Sequence, residues 1–176
     1  VPAPGGLVKM QLHLLKAISM KQGASKGVKT LQEWVDQGVM QRKHAVDCVH
    51  KTISLFLKID RTNRFTRALI KEAMKASFLL PRSIGTWMKN LLDERKYQFV
   101  VEIFKDVQDV LPSLLDEQRC LQIYTLYFKS LVELGACHVV QEEMARLLED
   151  GPKPDAPLYR LAITACSTDG KWEQCW

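Results

Sequence analysis

The chain has 176 residues, of which 47% are hydrophobic and 26% are charged, and its formal net charge is +5. This length supports one hydrophobic core or one contiguous stack of repeats better than two separate domains. No apolar run approaches the roughly 20 residues of a membrane span, and Val1-Pro-Ala-Pro-Gly-Gly6 resembles neither a signal peptide nor a transit sequence, so we expect no membrane partner.

Apolar residues recur at helical spacing along almost the whole chain, and no run shows the alternation typical of a β-strand. The pattern predicts an all-α fold of about nine helices. Gly23-Ala-Ser-Lys-Gly27, Pro81 and Leu111-Pro112 are predicted breaks, and Ser83 and Asp116 are predicted N-caps. The predicted helices span 6–21, 27–37, 40–59, 63–80, 84–93, 95–110, 117–133, 136–149 and 156–168, with a last one starting near 171.

The predicted helix over 63–80 carries a stripe of cations. At roughly 100° per residue, four basic side chains fall within about 80° of one another and lie opposite the apolar residues of the same helix. These four residues are Arg64, Arg67, Lys71 and Lys75. Such a stripe is suited to a phosphate backbone, and Lys9 and Lys16 would extend it, although solvated Lys/Arg faces are also common on helices.

Charge is distributed unevenly along the chain. Residues 1–96 contain 18 Lys+Arg against 7 Asp+Glu, or +11, whereas residues 97–176 contain 7 against 13, or −6. A basic surface attracts nucleic acid, an anionic membrane or an acidic protein, and an acidic surface repels phosphate. The two parts are therefore expected to have different electrostatic partners, unless both merely carry solvated faces.

The five cysteines are odd in number, widely spaced and mostly set in apolar helical patterns, which is typical of reduced thiols in a core. We therefore expect an intracellular, reducing compartment, either the cytoplasm or a mitochondrion. His44 and Cys48 share a helix face near His50, but a fourth zinc ligand is missing from this part of the sequence. No metal site and no cofactor are predicted.

Gly23-Ala-Ser25-Lys-Gly27 matches the Gly-x-Ser-x-Gly pattern of hydrolase nucleophiles. That chemistry requires a turn from a strand into a helix, which an all-α chain does not provide. The segment is interpreted as a flexible loop with a helix start near Ser25. No enzyme, catalytic residue or small-molecule substrate is predicted.

A repeat emerges when the sequence is shifted by 35 residues. The shift places Ile123-Tyr124 on Leu158-Tyr159, Phe128 on Ile163, Ser130 on Ala165 and Gly135 on Gly170. Each copy has the pattern helix, glycine turn, helix. Upstream, residues 91–104 form a related pair, but their turn lies 40 residues before Gly135 rather than 35.

The segment from Gly151-Pro-Lys-Pro-Asp155 through Tyr159 to Gly170-Lys-Trp172 resembles the pentatricopeptide repeat family, whose motif has a Gly-x-x-Pro-Asp end and a glycine turn. The resemblance covers about 120–176 and, loosely, 84–119; tetratricopeptide-type repeats have nearly the same length. It implies a right-handed α-solenoid of stacked helical hairpins. We accordingly expect a basic, divergent helical region over 1–83 and repeats over 84–176 in one contiguous stack that continues beyond Trp176, the chain being an excerpt of a longer protein.

The same resemblance implies single-stranded RNA binding in post-transcriptional RNA metabolism, with one base addressed by the fifth and last residues of each motif. Counted from Leu121, these residues are Thr125 and Asp155, a pair that favours guanine in the family, and the fifth residue of the next motif is Arg160. From the residues alone, Asp155 is interpreted mainly as an N-cap before Ala156-Pro157, and Thr125 as an ordinary helix-surface residue. The alternative function is a protein-protein interaction scaffold.

Overall fold

The structure is a computed structural model that describes residue 13 and residues 15–60 and 64–168. Every element of regular structure in those residues is helical, which confirms the predicted all-α fold. The chain forms two compact units, Val1–Ser83 and Ile84–Trp176. The helix predicted near 171 and the start of the one predicted over 6–21 lie outside the described residues.

The first unit is built around α4. Its helices are α1, described over 15–22, α2 (Ala24–Asp36), α3 (Arg42–Ile59) and α4 (Arg64–Lys75). Helices α2 and α3 pack against each other and against α4. The core contains the fully buried side chains of Leu15, Leu31, Ile53, Leu69 and Ile70. Removal of these aliphatic groups from water is the main force that holds the four helices together.

The loop predicted over residues 23–27 is wrong, because only Gly23 interrupts the helices. Gly23 has a φ of +90°, and α2 begins at the next residue. Gly27 lies inside α2, where it is buried against Ser19 of α1. Gly27 thus allows α1 and α2 to approach closely and does not belong to a loop.

Helix α4 ends five residues before the predicted boundary at 80. Ser77 takes a left-handed φ of +53°, and the Phe78 amide donates a hydrogen bond to the Ala73 carbonyl at 2.8 Å. This αL arrangement satisfies carbonyls at the helix end. Because Phe78 is 1% exposed, its burial offsets the backbone strain at Ser77.

The second unit continues with further helical hairpins. Its elements are α5 (Pro81–Asp93, of which 84–93 belong to this unit), α6 (Tyr97–Val107), a 3-10 turn (Gln108–Val110), α7 (Leu111–Leu114), α8 (Glu117–Glu133), α9 (Cys137–Asp150) and α10 (Ala156–Thr168).

Asp116 caps α8 as predicted, accepting from the Arg119 amide at 2.9 Å. Both prolines lie at helix breaks, as predicted, but each also belongs to the start of the next helix. Pro81 begins α5, so the prediction of Ser83 as its N-cap was wrong, and Pro112 lies in the first turn of α7. Proline lacks only an N–H that the first turn leaves unbonded in any case.

The turns of the two complete hairpins have the same backbone geometry. Arg95, between α5 and α6, has a φ of +57°, and Gly135, between α8 and α9, has a φ of +71°. The next residue donates to a carbonyl five positions back in both: Lys96 to Leu91, and Ala136 to Leu131. The two hairpins thus have the same turn, although Arg95 stands in one where Gly135 stands in the other.

Four of the five residues by which the spacings of 40 and 35 differ lie at the start of α8. Pro81, the first residue of α5, lies 40 residues before Leu121, and Ala156, the first residue of α10, lies 35 residues after it. Both helices therefore begin at the position that corresponds to Leu121. Helix α8 begins earlier, with the additional residues Glu117–Cys120. Four residues make about one helical turn, so the rest of α8 keeps the same face toward the core.

Helix α8 lies at the centre of the second unit, packed against α6, α9 and α10. Its aromatic side chains supply much of this contact. Tyr127 stacks on Phe104 of α6 with ring centroids 3.8 Å apart, and Tyr124 meets the same ring edge-on at 4.9 Å. Tyr127 and Phe128 are fully buried. Aromatic pairs of this kind add about 0.5–1.5 kcal/mol to the gain from burial.

None of the helices in the described residues combines the length and apolarity needed to cross a membrane.

Two helical glycines provide a matched test of this packing. A Cβ at Gly27 would overlap Ser19 Oγ and lie 3.3 Å from Leu15 Cδ1, whereas a Cβ at Gly85 would meet only Ile123 Cγ1, at 3.9 Å. Alanine in a helix gains about 1 kcal/mol over glycine, but overpacking costs about 1–3 kcal/mol. We expect Gly27→Ala to lower the free energy of unfolding by about 1 kcal/mol and Gly85→Ala to raise it by a similar amount. Urea unfolding measures both, and a gain for Gly27→Ala would contradict the close contact of α1 and α2.

Candidate nucleic-acid interface

The predicted cation stripe lies on the outer face of α4. Arg64, Lys71 and Lys75 are exposed and Arg67 is half-buried, whereas Thr66, Leu69, Ile70 and Ala73 face the core. Asp60 holds the start of the helix, because one of its carboxylate oxygens accepts both the Thr66 amide, at 3.0 Å, and the Thr66 hydroxyl, at 2.9 Å. The orientation of the stripe is therefore fixed from both the core and the helix start.

The extension of the stripe toward the N-terminus concerns two lysines. Lys16 is half-buried on α1, and Lys9 lies outside the described residues. The structure thus describes the four cations of α4 and, on α1, Lys16.

One carboxylate moderates the charge of this face. Lys75 Nζ lies 2.7 Å from Glu72 Oε1, one helical turn away. Hydrogen bonds from Lys75 and then from Ser25 lower the pKa of Glu72, so it is ionised at neutral pH. A phosphate at Lys75 would thus compete with Glu72.

Arg42 has a structural role that the sequence did not indicate. Its Nη2 donates to the carbonyls of Ala76 at 3.2 Å and Ser77 at 3.1 Å, and its guanidinium lies 5.2 Å from the centre of the Phe78 ring. The cation thereby satisfies carbonyls that follow the C-terminus of α4, where the helix dipole is negative. It joins α3 to the end of α4 across 34 residues of sequence, a contact that local sequence patterns do not reveal.

The three residues matched to the repeat code lie at or near the surface of the second unit. Thr125 is half-buried and donates its hydroxyl to the Leu121 carbonyl at 2.8 Å. Asp155 Oδ1 accepts the Leu158 amide at 3.1 Å and so caps α10, while Arg160 is exposed. Thr125 keeps its hydroxyl lone pairs and Asp155 its second carboxylate oxygen, so both present acceptors.

The His44, Cys48 and His50 group does not have the arrangement of a metal site. No three potential ligands among His, Cys, Asp and Glu come together in the described part of the chain. Burial raises the pKa of the Cys48 thiol and lowers the pKa of His50, so both are neutral at pH 7. Cys48, Cys120, Cys137 and Cys166 are buried free thiols, as expected of core residues, and Cys175 lies outside the described residues.

The cap at Asp155 can be separated from its charge by two substitutions. Serine is about as good an N-cap as aspartate, whereas alanine cannot accept the Leu158 amide. We expect Asp155→Ala to destabilise the second unit by about 1 kcal/mol and Asp155→Ser to change its stability by only a few tenths. Thermal unfolding measures the difference. Equal stabilities of the two variants would show that the hydrogen bond does not support α10.

Comparison of the chain with models of known families, with curated proteins and with solved structures yields no match.

Proposed function

We propose that the protein is a non-catalytic helical-repeat module that binds single-stranded RNA, with the basic face of α4 along the phosphate backbone. The orientation of α4 carries the proposal, because its cations point away from the core in a unit of high positive charge. Residues 1–83 contain 15 Lys+Arg against 5 Asp+Glu, or +10. Contacts of Lys and Arg with phosphates supply most of the affinity of non-specific nucleic-acid binding.

A right-handed solenoid of pentatricopeptide type is the architecture that we propose for the second unit. Its support comes from the common turn at Arg95 and Gly135 and from the packing of α8 against both α6 and α10. In such a stack each hairpin buries an apolar face that it cannot bury alone. The four buried free thiols fit a reducing intracellular compartment such as the cytoplasm or mitochondrion.

Base contacts in this proposal come from Thr125 and Asp155. Because the Thr125 proton is donated to Leu121, both side chains act as acceptors. The Watson–Crick edge of guanine offers N–H donors, so acceptors at both positions suit guanine. Arg160 would contact a phosphate or a base plane in the same role that arginine has in other RNA-binding proteins.

The phosphate contacts are tested by removing four cations. The test variant replaces Arg64, Arg67, Lys71 and Lys75 with Gln, and the control replaces Lys89, Lys105, Lys129 and Lys153, which are all exposed residues of the second unit. Both variants carry four fewer positive charges. For single strands, the slope of log K against log salt falls in magnitude by about 0.7 for each phosphate that the protein no longer neutralises. We expect this fall, with weaker binding, in the test variant alone.

Fluorescence anisotropy with a labelled random-sequence RNA, followed from low to physiological salt, measures both slopes. Circular dichroism establishes that the variants retain their helix content. Absence of RNA binding at low salt, or an unchanged slope in the α4 variant, would contradict the proposal.

The base contact is tested by Thr125→Asn, which adds an amide donor where the hydroxyl offers only acceptors. We expect guanine to lose its preference at one position of the bound sequences, with little change in overall affinity. Selection from a random RNA pool followed by sequencing measures the preference. An unchanged preference, with the fold intact, would remove Thr125 from the interface.

A further inference from the structure

A cavity of about 330 Å³ opens on the second unit at the N-terminal end of α8, the end opposite the Gly135 turn. It lies between α7, the first two turns of α8 and the loop that follows α9. Leu111, Pro112, Leu115 and Pro152 form apolar walls, and the ring of Tyr124 contributes an aromatic one. Ligand pockets usually occupy about 300–1,000 Å³, so this cavity has the size for one side chain or a small molecule.

The interior of the cavity is uncharged. The Cys120 thiol, which is 4% exposed, donates to the Leu111 carbonyl at 3.5 Å, and burial raises its pKa. Burial and then the charge of Glu143 raise the pKa of Tyr124, so its hydroxyl is protonated at neutral pH. An aliphatic chain or a delocalised cation can therefore enter the cavity without meeting a charged group in its interior.

The rim of the cavity is acidic. Glu117 and Asp150 both line it and are exposed. Glu117 Oε1 accepts the Lys153 amide at 3.1 Å, which holds the loop after α9 against α8 and leaves Glu117 Oε2 for another donor. Asp150 is the last residue of α9, where the carbonyl end of the helix dipole also favours a cation.

The basic groups near this rim do not cancel its charge. Arg119 pairs with Asp116 at 3.4 Å, and the ion pairs of the described residues include neither Glu117 nor Asp150. The Lys153 side chain is exposed on the loop. Residues 84–176 contain 10 Lys+Arg against 15 Asp+Glu, or −5, so the net charge of the unit also favours a cation.

We propose that this cavity binds an arginine or lysine side chain of a partner polypeptide. The methylene stem packs on the leucine and proline walls, as long basic side chains do on apolar surfaces. The cation reaches Glu117 and Asp150 at the rim, and a guanidinium also stacks on the Tyr124 ring. This site uses none of the cations of α4, so the Gln substitutions in α4 leave it unchanged.

Nuclear magnetic resonance of the ¹⁵N-labelled chain tests the proposal with N-acetyl-arginine amide as the probe. We expect saturable shifts at the amides of Cys120, Tyr124 and Gly151, with the same set shifted by N-acetyl-lysine amide. N-acetyl-citrulline amide, which has the same shape without the charge, should bind at least about tenfold more weakly, a loss that corresponds to about 1.4 kcal/mol.

The test variant is Glu117→Gln with Asp150→Asn, in which the introduced amide oxygen at position 117 can still accept the Lys153 amide. Its matched control is Glu133→Gln with Glu142→Gln, which removes two exposed charges elsewhere in the unit. We expect the test variant to bind the probe at least about tenfold more weakly and the control to bind it normally. Equal binding of arginine and citrulline, or equal weakening in both variants, would overturn the proposal.

Discussion

Residues in the left-handed conformation set the direction of the chain at several of its helix ends. Ser77, Arg95 and Gly135 all have a positive φ, and each is followed by an amide that returns to a carbonyl five residues earlier. At Gly135 this turn reverses the chain within about three residues, and α8 and α9 pack against each other. Only glycine takes this conformation at little cost, whereas a side chain costs roughly 1–2 kcal/mol. Burial of the flanking apolar residues, such as Phe78 and Leu91, offsets that cost at Ser77 and Arg95.

The aromatic cluster of α8 depends on this constraint. The Gly135 turn directs α9 back along α8, so that Glu143 lies 3.5 Å from the Tyr127 hydroxyl. On the other side, Phe104 of α6 stacks on the same tyrosine. Burial and then the charge of Glu143 raise the Tyr127 pKa, so the phenol stays a neutral donor at all physiological pH values. A continuous packed layer from α6 to α10 follows, with α8 as its middle element.

Local signals in the sequence predicted some of these features and not others. The bounds of α10, the cap at Asp116 and the turn at Gly135 were correct, because each depends on residues within about one helical turn. The side of α4 that carries its cations also followed from helical periodicity. The left-handed conformation of Ser77 and Arg95 was not predicted from the sequence. Neither residue is a glycine, and the cost of the conformation is offset by burial of the neighbouring apolar side chains.

Contacts between distant segments account for the rest. Gly27 of α2 lies close to Ser19 of α1, and Arg42 is engaged by carbonyls 34 and 35 residues away. The cavity was not predicted for the same reason, since its walls come from three segments of the chain. RNA binding by α4 and by the code residues stays a prediction, because neither exposed cations nor exposed acceptors specify one class of ligand.

The additional turn of α8 links the irregular spacing of the repeat to the cavity. Glu117 and Cys120 are the first and last of the four added residues, and both line the cavity. Without this turn, α8 would begin at Leu121, the position that corresponds to the first residues of α5 and α10. The cavity would then lack a rim carboxylate and its thiol. Because one full turn preserves the core-facing side of α8, the addition changes the surface at little cost to the packing of Ile123 and Tyr127. Most of the departure from a 35-residue period is thus an added turn that changes the surface at the start of α8, while its core-facing side stays the same.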